Sequence, residues 1–245
     1  MGVVWELGIS LAPARFGPAG SGRMRIPLFY ESQMIDDVSR ATYLRILMEI
    51  KYRIEAVDQV LAKSLPVRAK IGEELIVLQF RLVAELIAIG CLVLRQDIAV
   101  SKDGVLAKAW NAGQIFKRLS RLHDSFYPQP LEPVAAVGDK FQWVNLKAPY
   151  MTKDALLHIY DQEFGARLHR GNYRRIFRVD PPLDFTKLGQ WRQEIVNLLN
   201  RHTVISADRE YICHFNMCPV GEYPTASLFQ RQERAPLGAS CGMES

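Results

Sequence analysis

Between Ser39 and Lys63, Tyr43, Leu47, Ile50, Ile54, Val57 and Leu61 recur at alternating spacings of three and four. That spacing returns to one side of an α-helix at every turn, so it predicts an amphipathic helix, which Pro66 brings to a stop. From about Arg68 to Arg95 the apolar residues run round most of the circumference after Glu74, the pattern of a helix enclosed by others. Gly90 admits a close neighbour there, at some cost in helix propensity. A third helix is expected from about Val105 to His123, with Leu106, Trp110, Gly113, Phe116 and Leu119 in one stripe. The prolines Pro128, Pro130 and Pro133 close this half of the chain.

An extended segment around Phe141 to Leu146 leads to Thr152, an N-cap type, with Met151 and Leu156 spaced as a hydrophobic staple for a fourth helix. Gly171 is its expected left-handed stop. After Pro181-Pro182 and a capping Asp184, Leu188, Trp191, Ile195, Leu198 and His202 share the face of a fifth helix. The period then changes. Val204 to Ser206 and Tyr211 to Met217, joined by Ala207-Asp208-Arg209, read as a hairpin, with a third strand near Ser227 to Phe229. The expected fold is mainly α within the α+β class: a bundle of about five helices with a small C-terminal antiparallel β-meander. Residues 1–25 read as a Gly- and Pro-rich arm, 26–231 as a single domain and 232–245 as a polar tail.

Composition narrows the class without naming an activity. With 245 residues, 49% hydrophobic and 23% charged, the chain holds enough apolar material for its own core, and wholesale disorder and fibrous repeats are excluded. The formal charge of +5 is ordinary for solubility and does not by itself imply an anionic partner. Cys91, Cys213, Cys218 and Cys241 lack the dense spacing of a secreted disulfide scaffold, which points to a reducing cytoplasm. The stretch Ile76 to Leu94 has nearly the length of a membrane span but contains Gln79, Arg81 and Glu85. A charge at mid-bilayer costs roughly 2.5–3.5 kcal/mol, so a buried helix and no membrane partner are expected.

Those three residues are the first candidates for chemistry. Arg81 and Glu85 are four apart and meet on one helix face, so with Gln79 they read as a buried polar group, an internal ion pair before an acid–base site. The densest signal is Arg167 to Arg178, where Arg167, Arg170, Arg174, Arg175 and Arg178 stand with His169, Asn172, Tyr173 and Phe177. Guanidinium groups bind phosphate bidentately and aromatic rings stack on bases, so this run is a candidate anion or nucleic-acid surface. Arginines at a helix C-terminus also simply complement the macrodipole. His158 and His169 lie about 16 Å apart along the fourth helix, too far to share a metal. Cys213, His214 and Cys218 lack a second ligand pair of zinc-ribbon spacing. No phosphate loop, nucleophile elbow or zinc-protease motif occurs, and no metal or cofactor is expected.

The strings Leu78 to Arg81, Ala84 to Cys91, Leu122 to Pro128 and Leu168 to Asn172 resemble a group of uncharacterised bacterial helical proteins. The chain also resembles HEPN-type helical domains, whose nuclease members place an arginine four to six residues before a histidine, as Arg118 and His123, and Arg209 and His214, do here. That likeness implies a metal-independent ribonuclease, with Arg118 stabilising phosphate charge and His123 as general acid or base. Leu119 follows Arg118 where active members carry a polar residue, and Arg209 falls in a strand region. The favoured expectation is a non-catalytic helical protein binding nucleic acid, another anion or a protein partner through the arginine run. The ribonuclease is the alternative, and a structural subunit of a larger assembly the third.

Overall fold

The computed structural model describes residues 35–95, 108–109, 111–132, 144–168, 184–206, 209–219 and 221–230. Within them the chain forms α1 (Asp37–Leu61), α2 (Ala69–Val93), α3 (Ala112–Leu122) and α5 (Phe185–Leu199). Before α5, α4 is assembled from Lys153–Ile159, a π-helical turn Tyr160–Phe164 and a last α-turn Gly165–Leu168. Strands β1 (Gln129–Pro130), β2 (Arg201–Ile205), β3 (Tyr211–Asn216) and β4 (Thr225–Gln230) make one antiparallel sheet in that order. This is the helix-rich α+β architecture that the periodicity indicates. The N-terminal arm, the tail, Gly171 and Pro181-Pro182 lie outside the described residues.

Polar side chains set the helix starts by accepting otherwise unpaired amide protons. Asp36 accepts from Ser39, Asn111 from Gln114, Thr152 from Ala155 and Asp184 from Thr186. The Asn111 cap starts α3 at Ala112; Val105, Leu106 and Trp110 of the expected helix lie outside the described residues. His202 does not belong to the fifth helix: α5 ends at Leu199 and His202 sits in β2. It still turns inward, because opposite Phe215 it shares the sheet face that meets the helices. The hairpin and third strand form β2, β3 and β4, and β1 joins the β2 edge, extended by a bridge between Leu131 and Asn145.

The core runs between the helices and the inner sheet face. Leu47 and Val57 of α1, Ile76 and Phe80 of α2, Ile115 and Phe116 of α3, Phe164 of α4, Leu188 and Leu198 of α5, and Val204, Cys213 and Phe215 of the sheet are all buried together. Phe80, Phe164 and Trp191 meet with ring centroids 5.9–6.4 Å apart, tying α2, α4 and α5 at one point. Met151 and Leu156, the expected staple, are both buried.

Two buried cations bind the helices to the sheet. Lys51 of α1 donates to the carbonyls of Met217 at 3.4 Å, Glu222 at 2.8 Å and Pro219. Arg95, just past α2, donates to the carbonyls of Ser125 at 3.3 Å and Ile205. Burying a charge is tolerated only with such partners. α2 is long and apolar enough to cross a membrane, yet half of its most apolar window is buried inside the fold, as in the core helix of a globular protein.

Candidate functional site

The C-terminal turn of α4, where the arginine run begins, packs beside the start of α2. Glu73 is 2% exposed, and a carboxylate so enclosed needs a cation. Arg167 supplies it, with Nη1 donating to Glu73 at 2.9 Å while Nε donates to Glu163 at 3.3 Å. Lys70 lies 3.5 Å from Glu73, and Lys187 donates to Glu163 at 3.1 Å. Partial burial works to raise the Glu163 carboxyl, but Lys187 and then Arg167 outweigh it and hold the group below its ordinary value. The first arginine of the run is therefore turned inward onto carboxylates, because its rigid fork spans two acids that a lysine would serve singly. His169, Arg170, Asn172, Tyr173, Arg174, Arg175 and Arg178 lie outside the described residues.

A second cluster follows along α2. Arg81 donates to Glu85 at 3.3 Å, Tyr160 donates its hydroxyl to the same Glu85 oxygen at 2.8 Å, and the Arg81 guanidinium stands 5.3 Å from the centre of the Tyr160 ring. Burial first, and the Glu85 bond and charge next, push the Tyr160 phenol up to about 12. The Arg81 and Glu85 side chains remain 22% and 18% exposed, so the pair is half-buried where the sequence suggests full burial. At about 100° per residue these positions fall on the margin of α2 facing α4, while Phe80 and Ala84 hold its centre. Gln79 is on the opposite margin, half-buried, accepting from Arg53 at 3.1 Å. π-turns often mark functional positions; this one sets Tyr160 against Glu85.

The two pairs of ribonuclease spacing lie at the C-terminal end of α3 and around β3. Arg118 lies on α3, and His123 caps it in extended backbone. Nδ1 of His123 accepts the Ser125 amide at 3.0 Å, and the side chain is 8% exposed. Arg209, at positive φ, pairs with Asp124 at 3.1 Å, whereas His214 sits in β3 between Thr203 and Ser227. Burial, helped by the charge of Arg201, lowers His214 to about 4.

Two shallow clefts open on the described surface. One, of about 240 Å³, lies among Asp124, Tyr127, Gln129, Tyr150, Lys153 and Asp154. The other, of about 270 Å³, lies between α4 and α5 among His158, Glu163, Lys187, Trp191 and Glu194. In the second, Lys187 stands 4.8 Å from the centre of the Trp191 ring and also pairs with Glu163, so the charges lining it partly satisfy one another. Among the described residues no three His, Cys, Asp or Glu side chains gather as a metal site. The thiols of Cys91, Cys213 and Cys218 are free, and burial pushes both Cys91 and Cys213 up to about 12, which makes them poor nucleophiles at neutral pH.

No known family, curated protein or solved structure matches the chain. The sequence pattern does not single out Lys51, Glu73 and Arg95, three enclosed charged groups; the carbonyls of Met217 and Ile205 and the guanidinium of Arg167 that they meet lie far along the chain.

Proposed function

We propose that this chain is a non-catalytic helical binding protein of the reducing cytoplasm that contacts nucleic acid through Arg170, Arg174, Arg175 and Arg178. The carrying observation is their concentration: four guanidinium groups within nine residues, with Tyr173 and Phe177 between them. Phosphate takes bidentate contacts from guanidinium, and the two rings offer stacking surfaces to bases. Arg167 has a different role. Its bonds to Glu73 and Glu163 fasten the end of α4, the point in the chain from which the run continues.

A ribonuclease reading draws less support, since the Ser125 backbone amide occupies one nitrogen of His123. Free thiols at Cys91, Cys213 and Cys218 favour a reducing compartment.

Titration of labelled single-stranded RNA at several salt concentrations tests the proposal. Each phosphate contact contributes about −0.7 to the log–log salt slope, so Arg170→Gln, Arg174→Gln and Arg175→Gln together should flatten it by about two. Arg167→Gln should lower stability and leave the slope alone. Unchanged affinity and slope in the triple variant, with unchanged circular dichroism, removes the run from any account of function. The RNA should also stay intact without metal; cleavage abolished by His123→Ala would install the nuclease reading instead.

A further inference from the structure

α2 has two apolar faces, and among the described residues the core fully buries one, while Leu75, Leu86 and Ile89 of the other reach it only at its edge. Ile76, Phe80, Ala84, Ile87 and Cys91 point into the core. On the opposite side Ile71, Leu75, Leu78, Leu82, Leu86, Ile89 and Val93 are all left short of full burial, with Ile71 51% and Leu78 40% exposed. At about 100° per residue they fall within roughly 80° of arc, and no polar residue interrupts them. Glu85 and Arg81 line one margin and Gln79 the other. An uninterrupted apolar strip at the surface marks an interaction site.

The order of the strip identifies its occupant. Counted from Ile71, the steps are four, three, four, four, three and four, the same read from either end about Leu82. Two such helices laid antiparallel about a two-fold axis at Leu82 place Leu82 on its own mate. The same operation sets Leu78 against Leu86, Leu75 against Ile89, and Ile71 against Val93. The contact would run about 33 Å at about 1.5 Å per residue, with the shallow crossing that steps of three and four favour.

The charges match as well. In an antiparallel pair each margin faces its own copy, so Glu85 comes level, within two residues or about 3 Å of axial offset, with the partner's Arg81, and the two Arg81 side chains, at the same offset from each other, are flanked on either side by the two Glu85 carboxylates. Arg81 and Tyr160 both bond Oε1 of Glu85, which leaves Oε2 for that second guanidinium. A bilayer surface would ask only for an apolar strip, not for one symmetric about a single residue with self-complementary charges beside it. We propose that the outer face of α2 joins two copies of this chain into an isologous antiparallel dimer.

Sedimentation equilibrium of the full chain at micromolar concentration should return twice the single-chain mass. Leu78→Glu with Leu82→Glu should halve it without changing the circular dichroism. The register has its own test, in protein carrying Cys218→Ser and Cys241→Ser. Mild oxidation should link Leu82→Cys covalently to its mate, whereas Leu75→Cys, about 21 Å from its own copy, should stay unlinked. A single-chain mass at all concentrations overturns the proposal, as does a dimer that survives the double glutamate change or equal cross-linking at both positions. Single chains that instead bind phosphatidylcholine–phosphatidylglycerol vesicles, and lose that binding with Leu78→Glu, would assign the face to a lipid surface.

Discussion

The hydroxyl of Tyr43 donates to Nε2 of His202 across 2.8 Å, and Nδ1 of the same ring donates to the Leu199 carbonyl across 2.9 Å. A carbonyl can only accept, so the proton resides on Nδ1, and Nε2 is left as the acceptor for tyrosine. The ring also stacks on Phe215 with centroids 5.3 Å apart. One neutral imidazole thus joins α1, the end of α5 and two strands.

This bond makes stability pH-dependent. Burial drives His202 down to about 3, overriding the Leu199 bond that opposes it, and the charge of His214 adds to the fall. The unfolded chain, with an ordinary histidine near 6.5, takes up the proton first. Stability is therefore full above about pH 6.5 and is lost as pH falls toward 3; between pH 7 and 4.5 the loss from this group is on the order of 2–3 kcal/mol. His214 acts with the same sign over a shorter span. Urea unfolding at both pH values should show His202→Gln less stable at pH 7 but losing less on acidification. Equal losses in both proteins would mean that His202 is not the titrating group.

Much of this architecture is legible in the residues themselves. The steps of three and four from Tyr43 to Leu61 give α1, and Thr152 and Asp184 stand where caps must stand. These signals are local. β1 is not: its two residues include Pro130, which lacks a donor, and its pairing with Thr203 and His202 is made across the fold. The π-turn at Tyr160 leaves no trace in periodicity. The ion pair of Arg81 and Glu85 is legible from its spacing of four, but its partial exposure depends on where α4 lies. Arg167 reads as one of five like charges until Glu73, remote in sequence, claims it.

Lys51 offers a sharper test of such remote contacts. Its ammonium satisfies three carbonyls around the connection between β3 and β4, and hydrogen bonds to a charged donor contribute about 1.5–3 kcal/mol each at most. Lys51→Met keeps the apolar stem but removes the donors, while water recovers part of the loss at the more exposed carbonyls. A net cost of about 2 kcal/mol is expected, with faster hydrogen exchange at Met217 and Cys218. Unchanged exchange there would show that the turn holds without the lysine.

For Glu85, its exposure of 18% sets the scale. A stranded buried partner would cost about 3–5 kcal/mol, but a half-solvated pair is worth nearer 1 kcal/mol, so Glu85→Gln should be mild in denaturant. Its larger effect should fall on Tyr160, whose phenol loses an adjacent negative charge and drops from about 12 toward its ordinary value. Absorbance titration, with Tyr160→Phe as the reference, isolates that phenol. An unmoved Tyr160 would break the link between the two side chains.

Two helical glycines, finally, should respond to alanine with opposite signs. In either helix the substitution gains up to about 1 kcal/mol of propensity. At Gly90 the new Cβ would lie 2.7 Å from Cε2 and 3.0 Å from Cδ2 of Tyr43, and that ring cannot swing aside without breaking its bond to His202. Overpacking of this kind costs about 1–3 kcal/mol, so Gly90→Ala should be destabilising on balance. At Gly189 of α5 nothing lies within 4 Å of the added carbon, and the propensity gain should appear undiminished as a higher unfolding midpoint. Matched urea titrations of the two variants decide it. A Gly90→Ala protein as stable as Gly189→Ala would mean that Tyr43 is free to move and that its bond to His202 does not hold the ring in place.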